Sequence, residues 1–383
     1  MSRNTLYNGD EQVNDVQNGV PSFPTKYTGI LERLHSIDPL KYARTRNFVH
    51  GDVTYLSPYI SRGVISLRQV ANHVLKAYKP YQIEKFLQEL AWREYWQRVW
   101  QSAGNQLFSD LKQPQPGVQH HKMLAAIETA STGIEAIDRH LHLLYNTGYM
   151  HNHVRMYVSA ITCNMGKAHW LQPSRWMYYH LLDGDLASNS LSWQWVAGAF
   201  SSKKYYCNQE NINRYTNSEQ TGSFLDDNYE ALTQMPVPEV LRKTTDFLPA
   251  TVLPITPKPV IQNGLPVLVY NNYNLDPLWH SGEAANRILL LEPEHFAKYP
   301  VSEKVVQFII SLTENIQGIQ VYTGSFAELQ NLAGNNPIHF KTHPAFTYYT
   351  GIAESYEYLF PEVKGYYPSF FSYWKKAEKY LKG

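Results

Sequence analysis

Gly148-Tyr-Met-His-Asn-His-Val-Arg-Met156 and Leu182-Asp-Gly-Asp-Leu-Ala-Ser-Asn189, the second running on to Trp193-Gln-Trp195, decide how this 383-residue chain is read. With a helix over 149–163, Asn152, Arg155 and Met156 fall at i, i+3 and i+4 on one face. With a second helix after the Asp183-Gly184-Asp185 turn, Asn189 and Trp193 are again i and i+4. The turn then sets two carboxylates beside a helix N-terminus, where backbone N–H groups lack partners. This predicts a polar pocket with an amide, a guanidinium and two carboxylates, walled by tryptophan. A large flat ring system with polar edges suits such a pocket. Any one of these residues fits an ordinary helical core equally well, because buried Trp and Asp/Arg pairs are common. The ordered constellation is what points to a ligand.

The two segments resemble the flavin-binding core of the DNA photolyase/cryptochrome family, with its Trp-Met-His-Asn-x-x-Arg-Met segment and its Asp-Gly-Asp-Leu-Ala-x-Asn-x-x-x-Trp-Gln-Trp signature. Upstream, Glu89-Leu-Ala-Trp-Arg-Glu-Tyr95 is similar to the family's Glu-Leu-x-Trp-Arg-Glu-Phe/Tyr, with Phe86 where many members carry another Trp. Val53-Thr54-Tyr55-Leu56-Ser57 is similar to its diphosphate-binding Thr-Ser-x-Leu-Ser segment, with Val in place of the first Thr. Ser57 before Pro58 also reads as an N-cap with Pro at N1, a helix start suited to an anion. Thr132-Gly-Ile-Glu-Ala-Ile-Asp138 is similar to the family's Thr-Gly-x-x-x-x-Asp segment.

The resemblance implies FAD in an all-helical pocket. Tyr42, Thr54, Leu56 and Ser57 would hold its ribityl–phosphate side; Glu89, Arg93, Asn152, Arg155, Asp183, Asp185 and Asn189 would hold the rest. Arg155 at the reducible edge would favour a negatively charged reduced ring, with Asp183 fixing the guanidinium. Asn189 would meet the redox-active ring nitrogen with a donor and an acceptor. The resemblance further implies a pyrimidine dimer flipped between Trp92 and Trp195, with Asn152 and Met156 alongside and Glu89 at the pyrimidine edge. Relatives that act on the other major photoproduct carry His where this chain has Asn152 and Met156. His153 replaces an Arg that many members set near DNA phosphates, and Ser192 replaces a Gly. Trp193 and Trp170 match the first two members of an electron-hopping chain. The third has no tryptophan, since none lies between Trp100 and Trp170, which leaves the electron-hopping chain incomplete unless a tyrosine substitutes. The implied activity is light-driven repair of pyrimidine dimers by electron transfer from reduced flavin, with damaged DNA as partner. A blue-light photoreceptor with the same flavin and no repair is the alternative.

Composition is compatible with this. Hydrophobic residues make up 43% of the chain, enough for sizeable cores, and 29 Tyr with 9 Trp favour stacking surfaces. Residues 26–222 carry 21 Lys and Arg against 14 Asp and Glu, a surplus of 7 that suits phosphate backbones. The first twenty residues are polar and show no secretory signal, and no apolar run spans a bilayer. Cys163 and Cys207, the two cysteines, read as free thiols of a cytoplasmic protein. Two cysteines also exclude a four-Cys iron–sulfur cluster. No metal site is expected. His120-His121, His140-x-His142 and His151-x-His153 do not share helix faces, and no His-Glu-x-x-His or Cys/His set occurs.

The chain divides, on this reading, into a flexible arm at 1–26, a helical FAD-binding domain at 27–235, a Pro-rich linker at 236–264 and a small α/β domain at 265–383. Helices are expected over 27–36 and 81–100, and an irregular strap over 199–235. The last part alternates short apolar runs at 267–270, 288–291, 319–322 and 338–340 with helices at 302–316, 326–332 and 370–381, the pattern of a small parallel sheet. The fold expected is therefore mainly α, followed by a small parallel α/β unit. Leu265-Pro-Val-Leu-Val-Tyr-Asn-Asn-Tyr-Asn-Leu-Asp276 resembles the start of the family's α/β antenna domain. Here it follows the flavin domain and lacks that domain's Arg-Asp-Leu-Arg turn, so no antenna pigment follows. No G-x-G-x-x-G or P-loop occurs.

Overall fold

The computed structural model describes residues 16–17 and 20–381, so most of the arm expected at 1–26 lies outside the described residues. Helices come first: α1 (Tyr27–His35), α2 (Pro39–Thr45), α3 (Ser57–Ser61), α4 (Leu67–Leu75), α5 (Glu84–Ala103), α6 (Ala125–Glu128), α7 (Glu135–Thr147), α8 (Asn152–Ala160), α9 (Leu171–His180), α10 (Leu186–Ala197), α11 (Gln209–Thr216) and α12 (Tyr229–Gln234). Their boundaries follow local chemistry. Asp38 caps α2 ahead of Pro39, and Ser66 with Gln69 forms a capping box on α4. Asp138 accepts from the backbone N–H groups of Thr132 and Gly133 and from the Thr132 hydroxyl, so the Thr-Gly-x-x-x-x-Asp segment clamps the start of α7. The helix expected over 149–163 starts later, because Gly148 takes a left-handed φ of 72° that closes α7 and His151 caps α8. It ends in a π turn, Ile161–Met165. The stretch 199–235, expected to be irregular, holds α11 and α12. Asn208 and Asn228, turn residues by type, cap them by accepting from Asn211 and Ala231.

The C-terminal part is a five-stranded, wholly parallel sheet: β1 (Val267–Tyr270), β2 (Asn286–Leu291), β3 (Ile319–Thr323), β4 (Ile338–Lys341) and β5 (Ile352–Glu354), in the order β3-β2-β1-β4-β5. Helices α13 (Pro293–Lys298) and α14 (Glu303–Leu312) connect β2 to β3, α15 (Phe326–Ala333) connects β3 to β4, and α16 (Phe370–Ala377) follows β5. Strand alternation separates two cores. Val267, Val269, Ile288 and Leu290 face Phe326, Leu329 and Ala333 of α15. Leu268, Tyr270, Leu289 and Leu291 face the other way, into a core shared with the helical half. That core includes Tyr59, Phe86, Tyr95 and Trp96, joined by Phe308 of α14 and by Tyr373 and Trp374 of α16.

Polar ties fix this junction. Buried Glu94 of α5 accepts from the backbone N–H groups of Leu359 and Phe360 and from the Tyr373 hydroxyl. Fully buried Arg62 donates to the carbonyls of Leu182 at 3.0 Å and Asn272 at 3.3 Å. Next to it Gly63 has φ of 65°, and a Cβ there would stand 2.4 Å from the Tyr273 carbonyl oxygen. Within 236–264, Thr244–Thr245 pairs antiparallel with Met123–Leu124. Among the described residues no helix is long and apolar enough to cross a membrane.

Candidate functional site

Arg155 and Asp183 meet where α8 passes the turn before α10. Arg155 Nη2 donates to both Asp183 oxygens at 3.0 and 2.9 Å, and its Nε donates to the Met150 carbonyl at 2.8 Å. Burial pushes the Asp183 carboxyl up, but the Arg155 charge and hydrogen bond, the Ser57 hydroxyl and Arg93 outweigh it. The carboxyl therefore sits below its usual range and stays ionised. Ser57 is not the cap that its position before Pro58 suggests. Leu56 occupies the N-cap, Ser57 is already helical, and its hydroxyl serves Asp183. Tyr149 is enclosed against this pair, its ring 5.8 Å from the Arg155 guanidinium carbon. Burial raises the Tyr149 phenol far above its ordinary value, as it does for Tyr42.

Asp185 does two things. It caps α10 by accepting from Ser188 N at 2.7 Å, and it accepts from Gln97 Nε2 at 2.6 Å, with Arg93 Nη2 at 3.6 Å. Arg93 also donates to the Ser61 hydroxyl, which donates to the Asp183 carbonyl at 2.7 Å. Asp183, Asp185, Arg93, Arg155 and Ser57 thus form one connected network. The cavity beside Arg93 and Asp185 is only about 20 Å³, because Tyr273, His343 and Tyr356 of the C-terminal part close it. That is room for about one water.

The remaining predicted residues are more dispersed. Glu89 pairs with Arg46 at 3.2 Å and Lys85 at 2.9 Å. Asn152 is exposed at the start of α8, and Met156 is half-buried against the α7–α10 core. Trp195 is 38% exposed. Trp92 is half-buried, and one face of its ring is taken: Phe370 of α16 stacks on it at 3.9 Å and 10°. Asn189 donates to the Ser174 carbonyl at 2.8 Å and lines a separate cavity of about 270 Å³ between α9, α10, 247–249 and 297–300. Trp193 is buried with its indole N–H unpartnered. Trp170 is buried too, its N–H donating to Asp110 at 2.7 Å. His169, not a third tryptophan, packs against Trp170, at 5.6 Å.

Some participants were within reach of sequence reasoning. Ser61 is i+4 from Ser57, and Gln97 is i+4 from Arg93, so both lie on faces already singled out. Tyr273, His343 and Tyr356 lie some 90 to 170 residues further along than Asp185 and carry no local signal. The donor set fits a flavin. Two guanidiniums, one fixed by an ionised carboxylate, stand with hydroxyl and amide groups, while the Trp193 indole N–H and the Ser188 hydroxyl are buried without a partner. At the Arg93–Asp185 end, seating a ring system requires Tyr356, His343 and Tyr273 to withdraw.

Comparison with known proteins agrees with this donor set. A family model described as the FAD binding domain of DNA photolyase matches residues 86–251. The deoxyribodipyrimidine photo-lyase of Synechococcus sp. is 31% identical over 169 residues, covering 41% of this chain and 35% of that protein. Cryptochrome DASH, chloroplastic/mitochondrial, of Ostreococcus tauri is 28% identical over 193 residues, covering 48% of this chain and 34% of that protein. The crystal structure of a Synechocystis sp. cryptochrome superposes with a TM-score of 0.47 at 26% identity, over 51% of this chain and 44% of that one. The match therefore spans about a third of the length of these curated relatives. Residues 86–251 are thus similar to the FAD binding domain of DNA photolyase, and FAD is the cofactor of that domain.

Proposed function

We propose that this chain repairs pyrimidine dimers in DNA under light. The observation that carries the reading is the pair of half-buried Arg155 and buried Asp183, in a segment whose relatives include proteins named deoxyribodipyrimidine photo-lyase. FAD, if bound there and reduced, would supply the electron that light-driven cleavage of a dimer needs. Asp183 holds the Arg155 guanidinium in place, so its positive charge faces the edge where negative charge gathers. Tyr42, Thr54, Leu56 and Ser57 hold the ribityl–phosphate side; Arg93 and Asp185 close the other end. Asn189 presents donor or acceptor as its amide leaves Ser174. Trp195 offers an exposed ring face to a flipped base, and Trp92 the opposite wall, with Glu89, Asn152 and Met156 around the pyrimidine edges. Trp170 and Trp193 would pass electrons inward, from the outside of the helical domain towards the cofactor, when it must be reduced.

One observation favours a second reading. The Trp92–Phe370 stack covers a wall that a dimer needs. A photoreceptor has no use for that wall, and the contact would link the flavin half to the C-terminal sheet. The deciding experiment illuminates fully reduced protein with dimer-containing single- and double-stranded DNA. The expected result is restored pyrimidines, formed faster by Phe370→Ala than by the unaltered chain. Trp92→Ala should lose about 1–3 kcal/mol of binding to damaged DNA and little to undamaged DNA. If both the unaltered chain and Phe370→Ala keep FAD and restore nothing, the repair reading falls and the photoreceptor reading stands.

A further inference from the structure

We propose that His280, His339 and Glu354 form a binding site for a divalent transition-metal ion, foremost Zn²⁺, in the C-terminal sheet. Among the described residues these are the three whose ligand atoms gather to a point, all within 4.8 Å of one another. They come from three places: His280 from the β1–β2 connection, His339 from β4 and Glu354 from β5. Strands β4 and β5 pair in parallel, with His339 opposite Ile352 and Lys341 opposite Glu354. That register puts His339 and Glu354 side by side on the sheet face away from Ile338 and Phe340. The 59 and 15 residues that separate the ligands hide the site from any motif search. Sequence reading, confined to close histidine pairs, accordingly expected no metal.

The arrangement has the features that metal ligands require. His280 Nε2 and His339 Nδ1 both approach the same atom, Glu354 Oε1, at 2.9 and 3.0 Å. Ligand atoms around a tetrahedral ion bound at roughly 2.0–2.2 Å stand about 3.3 Å apart, so each imidazole needs to move only a few tenths of an ångström from Glu354 Oε1, and the two imidazole nitrogens lie within 4.8 Å of each other. The outer contacts point the same way. His280 Nδ1 donates to Glu283 Oε1 at 2.8 Å, so an ion that displaces the Nε2 proton from its contact with Glu354 meets the Nε2 lone pair; a carboxylate behind the imidazole is the usual support of a ligating His. Trp279 Nε1 donates to the other Glu354 oxygen at 2.8 Å and fixes the carboxylate. Lys341, the nearby cation on that face, is held by Asp276 at 2.8 Å and does not neutralise Glu354. His280 also adopts φ of 49°, a left-handed conformation uncommon for a non-glycine residue, with its carbonyl held by Arg287. Two imidazoles and one carboxylate suit zinc, and a fourth position stays open to water because all three side chains keep partial exposure. A bound ion would pin the β1–β2 connection to the β4–β5 edge.

The test is calorimetric titration of chelator-stripped full-length protein with ZnCl₂. The expected result is one Zn²⁺ per chain, lost in His280→Ala and in His339→Ala. Glu283→Gln leaves the three ligand atoms in place and should weaken binding about 10–100-fold. No stoichiometric uptake by folded unaltered protein overturns the proposal, as does uptake that both histidine variants retain. If an alanine variant fails to fold, the unaltered protein decides. Zn²⁺ should then shield His280 and His339, but not exposed His121, from diethyl pyrocarbonate, and the absence of shielding overturns the site.

Discussion

Asp183 shows how one residue links local chain geometry to cofactor chemistry. It sits in a turn that α10 requires, and burial alone would neutralise it. Arg155, on the next helix face, keeps it ionised. Asp183→Asn removes the charge and leaves an enclosed guanidinium short of its partner. Breaking such a pair costs about 3 kcal/mol, at the low end because Arg155 keeps 20% side-chain exposure. The expected outcome is a lower melting temperature and loss of most of the flavin absorbance from purified protein. A folded Asp183→Asn protein with full flavin bands would show that the pair does not hold the cofactor. Spacing put a guanidinium on one helix and two carboxylates in a turn, and the family resemblance implied that Arg155 and Asp183 pair. The role of Ser57 was not legible: its position before Pro58 suggested a cap, and only tertiary packing turns its hydroxyl to Asp183.

At the scale of elements, helices and strands with strong periodicity were legible, and those set by capping or edge position were not. The strand at 267–270 shows as an apolar run because both its faces are buried, whereas 338–340 buries Ile338 and Phe340 on one face and leaves His339 half-buried on the other. Strand β5 contributes only Ile352–Glu354 at the edge, with Ile352 48% exposed, and gives no run to read. The packing of α16 over Trp92 was invisible, since it joins residues 278 apart. The junction has a sharp test at Gly63. Its φ of 65° disfavours any side chain, and a Cβ would meet the Tyr273 carbonyl oxygen at 2.4 Å. That oxygen is backbone and cannot swing away, so Gly63→Ala should cost about 2–3 kcal/mol. Hydrogen exchange should rise across 271–275, where Leu275 N–H bonds the Arg62 carbonyl. Unchanged exchange and an unchanged melting temperature would mean that this contact is not tight.

For the whole molecule, the histidines set the response to acid. Burial is the first cause in each of four cases: it pushes His151 and His295 down to about 3, and His180 and His343 down to about 4. All four stay neutral in the folded chain well below the ordinary value of 6.5. The unfolded chain regains the ordinary value, so below about pH 6.5 it binds protons that the folded chain refuses. Stability therefore falls as pH drops from 6.5 towards 4, by up to about 1.4 kcal/mol per pH unit for each histidine. His280 opposes the trend with a single group, because contacts with Glu283 and Glu354 raise it against its own desolvation. Asp183, held below 3.8, adds its loss only at lower pH still. Denaturant unfolding of metal-free protein should show a midpoint that begins to fall near pH 6.5 and steepens through pH 5. A midpoint flat to pH 5 and falling only near 4 would assign acid sensitivity to the carboxylates instead. His343 offers the sharper control, since it stacks on Tyr273 at 4.2 Å and 14° inside the junction. Replacing it with Phe keeps the stack and removes one protonation, so His343→Phe should flatten the slope between pH 6.5 and 5 by up to one proton's worth.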